Sequence, residues 1–204
     1  VPSSAARRHA APAVPDGPVH ILPHHAVYKD DKVRVVFDAA AGRPNESLND
    51  HLLTGPNLIA DLTGVLLRFR MKNVGVTADI EKAFLQLSLH PEDRDVTRFL
   101  WREKATDPGP AVYRMTRVVF GVKPSPFLLQ AALRRHLQQY EVSDQDLVDM
   151  LQRDIYCDDL ITSVDTQEEA QTLSERTVEI FEDARMNMRK WTISQSAEAS
   201  GSSQ

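Results

Sequence analysis

Three aspartates carry the chemistry that this sequence offers. Asp79 closes the β-branched run Val74-Gly75-Val76-Thr77-Ala78, and Asp158-Asp159 sit between two short apolar runs, Ile155-Tyr156-Cys157 and Leu160-Ile161-Thr162-Ser163-Val164. The second pattern reads as a tight hairpin with both carboxylates at its tip. If that hairpin and the strand before Asp79 are neighbours in one sheet, three carboxylates converge. Such a cluster repels itself and is costly to keep ionised, and a divalent cation removes the cost. Cys157 is the single cysteine, so neither an internal disulfide nor a Cys-rich zinc site can form. The seven histidines are scattered apart from His24-His25 and read as structural or surface residues. Oxygen ligands therefore favour Mg²⁺ over Zn²⁺. Two Mg²⁺ ions about 3.5–4 Å apart can clamp the attacking and leaving oxygens of a phosphoryl transfer. A plainer reading stands beside this one: an Asp after a strand is a common turn former, and so is Asp-Asp at a hairpin tip.

The elements around these residues alternate in type. Val33 to Phe37 reads as a strand, followed by a loop at Gly42, Pro44 and Asn45. Leu58, Leu62, Val65, Leu66 and Phe69 recur at helical spacing, with Pro56 and Asn57 in front. Leu85, Leu87 and Leu89 alternate, which suggests a strand or turn. Thr97–Trp101 and Val112–Phe120 predict a hairpin around Asp107-Pro108-Gly109-Pro110. Ser125-Pro126 can start a helix with Leu128, Leu129, Ala132, Leu133, Leu137 and Tyr140 on its apolar face. A second helix covers about 144–153. Thr166 with Glu169 forms a capping box, opening a helix that carries Ala170, Leu173, Thr177, Ile180, Phe181 and Ala184 on one side. Met186–Thr192 can return to the sheet. This order fits an α+β fold with an antiparallel sheet covered by helices; a doubly wound parallel fold would need regular alternation.

Composition bounds the rest. Of 204 residues 42% are hydrophobic and 26% charged, ordinary values that exclude wholesale disorder. A net charge of -5 means that no global basic field draws in nucleic acid, though a local cleft can still be basic. No apolar run is long enough to span a bilayer and the N-terminus lacks a secretory pattern, so an intracellular protein is expected. Residues 1–17, rich in Ala, Pro and Ser, read as a disordered leader, and 194–204 as a disordered tail.

Around the aspartates, several words match one family in order. Tyr156-Cys157-Asp158-Asp159 resembles the Tyr-x-Asp-Asp box of reverse transcriptases. Thr77-Ala78-Asp79-Ile80-Glu81-Lys82-Ala83-Phe84 resembles that family's first-aspartate motif, and Phe120-Gly121-Val122-Lys123-Pro124-Ser125-Pro126-Phe127 with Gln130 resembles the motif between them. Arg34-Val35-Val36-Phe37-Asp38 with Ser47-Leu48-Asn49 resembles the fingers motif. The stretches His24 to Lys29, Leu53 to Leu58, Leu67 to Arg70, His90 to Arg94 and Arg189-Lys190-Trp191 look most like the Bel/Pao group of long-terminal-repeat retrotransposons.

The resemblance implies the fingers and palm of a right-hand polymerase. Fingers would cover 18–54 and 87–124, and palm 55–86 and 125–193, with an antiparallel palm sheet backed by helices. It implies template-directed addition of dNTPs to a primer 3′-hydroxyl on an RNA or DNA template. Two Mg²⁺ ions, with Mn²⁺ as the alternative, would be held by Asp79, Asp158, Asp159 and the backbone carbonyl of Ile80. Backbone N–H groups from Ile80 to Ala83 would receive triphosphate oxygens. Arg34 would pair with the triphosphate, since a guanidinium fork suits phosphate, and Lys32 is a second candidate or a solvated strand-end lysine. Phe84 would crowd the sugar's 2′ side and select deoxynucleotides, or simply belong to the core. Phe120 and Gly121 would lie near the nucleotide; Gly121 can equally be a turn glycine. Arg98, Arg102, Arg114, Arg117 and Lys123, interleaved with Phe99, Trp101 and Tyr113, could touch template or form a solvated strand face.

The implied partners are template-primer, dNTPs and the thumb and RNase H regions of the same polyprotein, with no membrane, in a cytoplasmic retrotransposon particle. The sequence departs from the family after Trp191, where a Ser/Ala/Gln run replaces the thumb. The chain therefore reads as a polyprotein fragment or a shortened reading frame. A truncated, catalytically inactive remnant that at most binds nucleic acid is the second expectation. A different two-metal nuclease would leave the fingers words unexplained.

Overall fold

The structure is a computed structural model that describes residues 6–8, 17–30 and 32–195. In chain order its main elements are β1 (Ala6–Arg8), β2 (His24–Lys29), β3 (Lys32–Phe37), α1 (Leu62–Phe69), β4 (Val74–Ile80), α2 (Ala83–Gln86), β5 (Arg98–Trp101), β6 (Ala111–Met115), α3 (Ser125–Leu137), α4 (Gln145–Asp154), β7 (Ile155–Tyr156), β8 (Asp159–Val164), α5 (Gln167–Asp183) and β9 (Met188–Ile193). The fold is α+β with antiparallel sheets. It divides into two compact units: Val1–Pro56 with Phe84–Leu128, and Asn57–Ala83 with Leu129–Gln204.

The second unit is built on a four-stranded sheet in the order β7-β8-β4-β9. Strand β4 buries Val74, Val76, Ala78 and Ile80 and leaves Gly75, Thr77 and Asp79 on its other face, the period-2 alternation of a one-sided sheet. From α4 come Val148 and Leu151, and from α5 Ala170, Thr177, Ile180 and Phe181, all buried. Each fully buried large apolar side chain stabilises the fold by roughly 1.5–3 kcal/mol, which outweighs the modest helix propensity of the short elements.

Helix α1 begins at Leu62 and not after Pro56 as its spacing suggests. The Asn57 side chain accepts from the Ile59 N–H at 3.1 Å, a local turn that competes with helix, and Asp61 then caps Gly64 N–H at 2.7 Å. Only half of the expected capping box forms at α5. Thr166 accepts from Glu169 N–H, but the Glu169 carboxylate accepts from Asp165 N–H instead of closing on Thr166.

The first unit holds the hairpin β2–β3 and the three-stranded sheet β1-β6-β5. Its core gathers Leu22, Ala39, Leu48, Phe99, Tyr113, Met115, Val119 and Val122. Strand β6 stops at Met115, short of the expected Phe120. Around Leu85, Leu87 and Leu89, where a strand or turn was expected, Ala83–Gln86 makes one helical turn and Ser88 bridges to Arg117. The Ser125 hydroxyl, at the start of α3, donates to Val119 O at 2.7 Å.

At one point the leader departs from the disorder its composition suggests: Ala6–Arg8 pairs antiparallel with Tyr113–Met115. An open strand edge carries unpaired N–H and C=O groups, and a short run of any composition can satisfy them. The rest of the leader before Gly17 lies outside the described residues. In the tail, Ser194 N–H still bonds Gly75 O at 2.9 Å, while residues 196–204 lie outside the described residues. Among the described residues no helix is long and apolar enough to cross a membrane.

Candidate active site

All three aspartates lie in the second unit. In the β4–β8 ladder Asp79 stands directly opposite Asp159, and Tyr156 opposes Asp159 from the other side. Opposed residues on one face have Cβ atoms about 4.5–5.5 Å apart, so two like charges there destabilise each other. Asp158 occupies the turn, and its carbonyl accepts the Ile80 N–H at 2.8 Å. The turn is made by Cys157 at φ 57°, a left-handed conformation unusual for a residue with a Cβ. Gln130, buried on α3, donates from Nε2 to Cys157 O at 2.9 Å and so fastens the turn.

The electrostatics follow from this crowding. Burial, then the neighbouring Asp158 and Asp79 charges, push the Asp159 carboxyl above its ordinary range, against the opposing pull of Lys190. Burial also raises Asp79, but hydrogen bonds from Lys190 and Arg189 outweigh it and hold that carboxyl below the usual range. Burial, then the Asp158 and Asp159 charges, push the Cys157 thiol up from its ordinary range.

The cations on Asp79 come from β9. Arg189 Nε lies 3.2 Å from Asp79 Oδ1 and Lys190 Nζ 3.2 Å from Oδ2. Arg189 Nη1 also reaches Glu81 Oε1 at 3.0 Å, and Asn187 donates to Glu81 Oε2 at 3.0 Å. In a regular strand Arg189 and Lys190 would point to opposite faces. Here the register with β4 shifts between Thr77 and Asp79, and Lys190 sits at φ 55°. The resulting irregularity lets both cations reach one carboxylate.

The donor chemistry suits a hard divalent cation: carboxylate oxygens, no second thiol and no paired imidazoles. The carboxylates are not, however, arranged as a finished site. Among the described residues no three His, Cys, Asp or Glu side chains are gathered to hold one ion. Both Asp79 oxygens are engaged by Arg189 and Lys190. Of the N–H groups expected from Ile80 to Ala83 to meet phosphate, Ile80 N–H bonds Asp158 O and Glu81 N–H bonds Asn187 O. The Ala83 side chain is fully buried.

The remaining nucleotide candidates lie in the first unit. Arg34, Phe120 and Gly121 line a cavity of about 640 Å³ whose other walls are apolar, among them Val36, Phe37, Phe99 and Trp101. Gly121 has φ 83°, and a Cβ there would lie 3.1 Å from Phe37 O, so both conformation and space require glycine. Phe84 is buried and packs edge-on against the exposed Phe120 at 4.4 Å between centroids. Lys32 is exposed at the start of β3, opposite Lys29. Of the hairpin cations, Arg98 and Arg114 pair with Asp95, and Arg117 bonds Gln86 O and Ser88. Sequence reasoning gave no role to Glu81 or Asn187 and used Arg189-Lys190 only as a subgroup word. Two adjacent cations on a returning strand were the available signal.

Residues 37–198 match the family described as "Reverse transcriptase (RNA-dependent DNA polymerase)". Among solved structures, a foamy viral protease-reverse transcriptase in complex with double-stranded DNA shares 22% identity at a TM-score of 0.65, covering 95% of this chain and 29% of that one. The native prototype foamy virus protease-reverse transcriptase shares 21% identity at a TM-score of 0.66, over 94% and 22%. The foamy viral enzyme in complex with an RNA/DNA hybrid shares 21% identity at 0.61, over 86% and 21%. At these identities the likeness is one of fold, and the chain spans less than a third of the length of each of these three proteins.

Proposed function

We propose, given that this chain belongs to the reverse transcriptase (RNA-dependent DNA polymerase) family, that its second unit serves as the palm and its first as the fingers of a template-directed polymerase. The reaction is addition of dNTPs to a primer 3′-hydroxyl on RNA or DNA template. The observation that carries this reading is the register that sets Asp79 across from Asp159, with Asp158 tied to Ile80 beside them. The three carboxylates and the Ile80 carbonyl would hold two Mg²⁺ ions, or Mn²⁺ in their place. Bound divalent ions would supply charge neutralisation and orientation of the reacting oxygens. The protein's own share is positioning: the turn fixed by Gln130 presents Asp158, and the Arg34 fork takes phosphate oxygens. Phe84 and Phe120 shape the space for a deoxyribose, and Gly121 admits the close approach of a nucleotide. The matched words around His24–Lys29 and Arg189–Trp191 support a Bel/Pao-type retrotransposon origin, with the reaction run in a cytoplasmic particle.

Primer extension on an RNA template with Mg²⁺ tests this. Asp158→Asn should lower extension by at least about 100-fold, the scale of removing a preorganised electrostatic group. A variant as active as wild type would end the mechanism.

A second reading, an inactive remnant that only binds nucleic acid, is favoured by the engagement of both Asp79 oxygens and by the net charge of -5. Processive extension by this chain alone eliminates it. Salt-sensitive template binding without extension supports it.

A further inference from the structure

Asp154 ends α4 and is fully buried, yet it takes no part in the chemistry above. Its Oδ1 accepts from Arg68 Nε at 2.6 Å and Arg153 Nε at 3.1 Å, and its Oδ2 from Arg153 Nη2 at 3.2 Å and Thr162 Oγ1 at 2.9 Å. Arg68 Nη2 also donates to Arg153 O at 2.8 Å, which satisfies a carbonyl left open at the end of α4. Ser163 Oγ donates to Arg68 O at 2.7 Å. One carboxylate thus joins α1, the C-terminus of α4 and strand β8. A Cβ at Gly64, in the first turn of α1, would lie 3.0 Å from Arg68 Nη1 and 3.2 Å from the capping Asp61 Oδ2.

Stability alone does not account for this arrangement. Burying ions costs several kcal/mol each, and apolar replacements of similar volume commonly do as well. What a fully satisfied buried network adds is a single allowed geometry. The chain leaves Asp154 directly into Ile155-Tyr156, the strand that delivers the Cys157–Asp158 turn. Any shift of the α4 terminus is carried to that turn within four residues.

We propose that Asp154 is a positioning residue that fixes the height and tilt of the Tyr156–Asp159 hairpin over β4. The inference rests on the reading of Asp158 and Asp159 as the reacting centre. It acts through the Ile80 N–H to Asp158 O bond, which reports hairpin position without any need for turnover.

The test uses the full chain. Amide hydrogen exchange and primer extension are compared for wild type, Asp154→Asn and the milder Thr162→Val, which removes only the donor from β8. Exchange at Ile80 should accelerate at least about tenfold in Asp154→Asn and less in Thr162→Val, while Ile180 and Phe181 in α5 stay unchanged. The extension rate constant should fall with the KM for dNTP held within about twofold. Equal acceleration at Ile80 and in α5 would make Asp154 a general stability residue and overturn the proposal. No acceleration at Ile80 in either variant would do the same. If Asp154→Asn fails to fold, Thr162→Val decides alone. A wild-type chain without extension would remove the polymerase reading, and the Ile80 exchange pattern would still decide whether Asp154 positions the hairpin.

Discussion

Strands β4 and β8 of the second unit and strands β2 and β3 of the first are both antiparallel pairs of about six residues, yet they are held by different means. Every second residue of β4 is buried, and β8 adds Leu160, Thr162, Ser163 and Val164 to the interior. In the hairpin, Val27, Tyr28, Val33, Val35 and Val36 are all exposed. The β4–β8 pair is covered along its length, while the hairpin is packed at its base, where His24 and Phe37 meet Phe99. Two-stranded hairpins without a covered face are marginal on their own. The carboxylates, which in the proposed reaction would need sub-ångström placement, sit on the covered pair. Arg34, which would meet the triphosphate, sits on the exposed pair.

The largest contrast should appear in core truncation. Phe181 is fully buried behind the β4–β8 sheet, and Phe181→Ala should cost about 3–5 kcal/mol in chemical denaturation. Val33, exposed on the hairpin, should lose no more than about 0.5 kcal/mol as Val33→Ala. Similar losses in the two variants would mean that the hairpin is packed as tightly as the sheet, and the comparison would fail.

A smaller effect sharpens the picture of the covered pair. Cys157 holds φ 57° in the turn between β7 and β8. A left-handed conformation costs a residue with a Cβ about 1–2 kcal/mol, and glycine avoids most of it. Cys157→Gly should therefore raise the unfolding free energy by about 1 kcal/mol, less whatever the freer unfolded chain takes back. A loss of stability would show that the thiol's own packing outweighs the backbone strain.

These two pairs also differ in how much of them the sequence reveals. The run from Val74 to Ala78 and the apolar halves flanking Asp158-Asp159 are legible because burial on one face imposes a period of two. The adjacency of Asp79 and Asp159 could be stated only as a condition, because register depends on where separate segments meet. The β9 irregularity was not legible at all. Lys190 takes a positive φ without being Gly or Asn, so nothing local marks it, and the convergence of Arg189 and Lys190 on Asp79 follows from it. Asn57 misled for the opposite reason: its side-chain turn to Ile59 looks, in sequence, like the front of a helix. Asp154 reads as one more polar residue at a helix end, since its partners Arg68 and Thr162 are distant in the chain.

The smallest effect concerns acid. Each unit carries a carboxylate held by arginine: Asp95 between Arg98 and Arg114 in the first, and Asp144 on Arg176 in the second. Hydrogen bonds from Arg176, then Ser143, hold the Asp144 carboxyl down at about 2. Its ordinary value is 3.8, so the folded state binds its proton later than the unfolded chain does. The stabilisation is complete above the ordinary value and is lost as pH falls from about 4 through about 2. Asp144 is a rim residue of the second unit, joining α5 to the start of α4, so its loss should loosen that edge and leave the β4–β8 ladder intact. Thermal melts between pH 5 and 2 should show a shallower decline for Asp144→Asn than for wild type, with the curves converging at the acid end. Parallel curves would mean that the Arg176 pair contributes nothing to acid sensitivity, and that the anchored sheet alone sets how the second unit responds to protons.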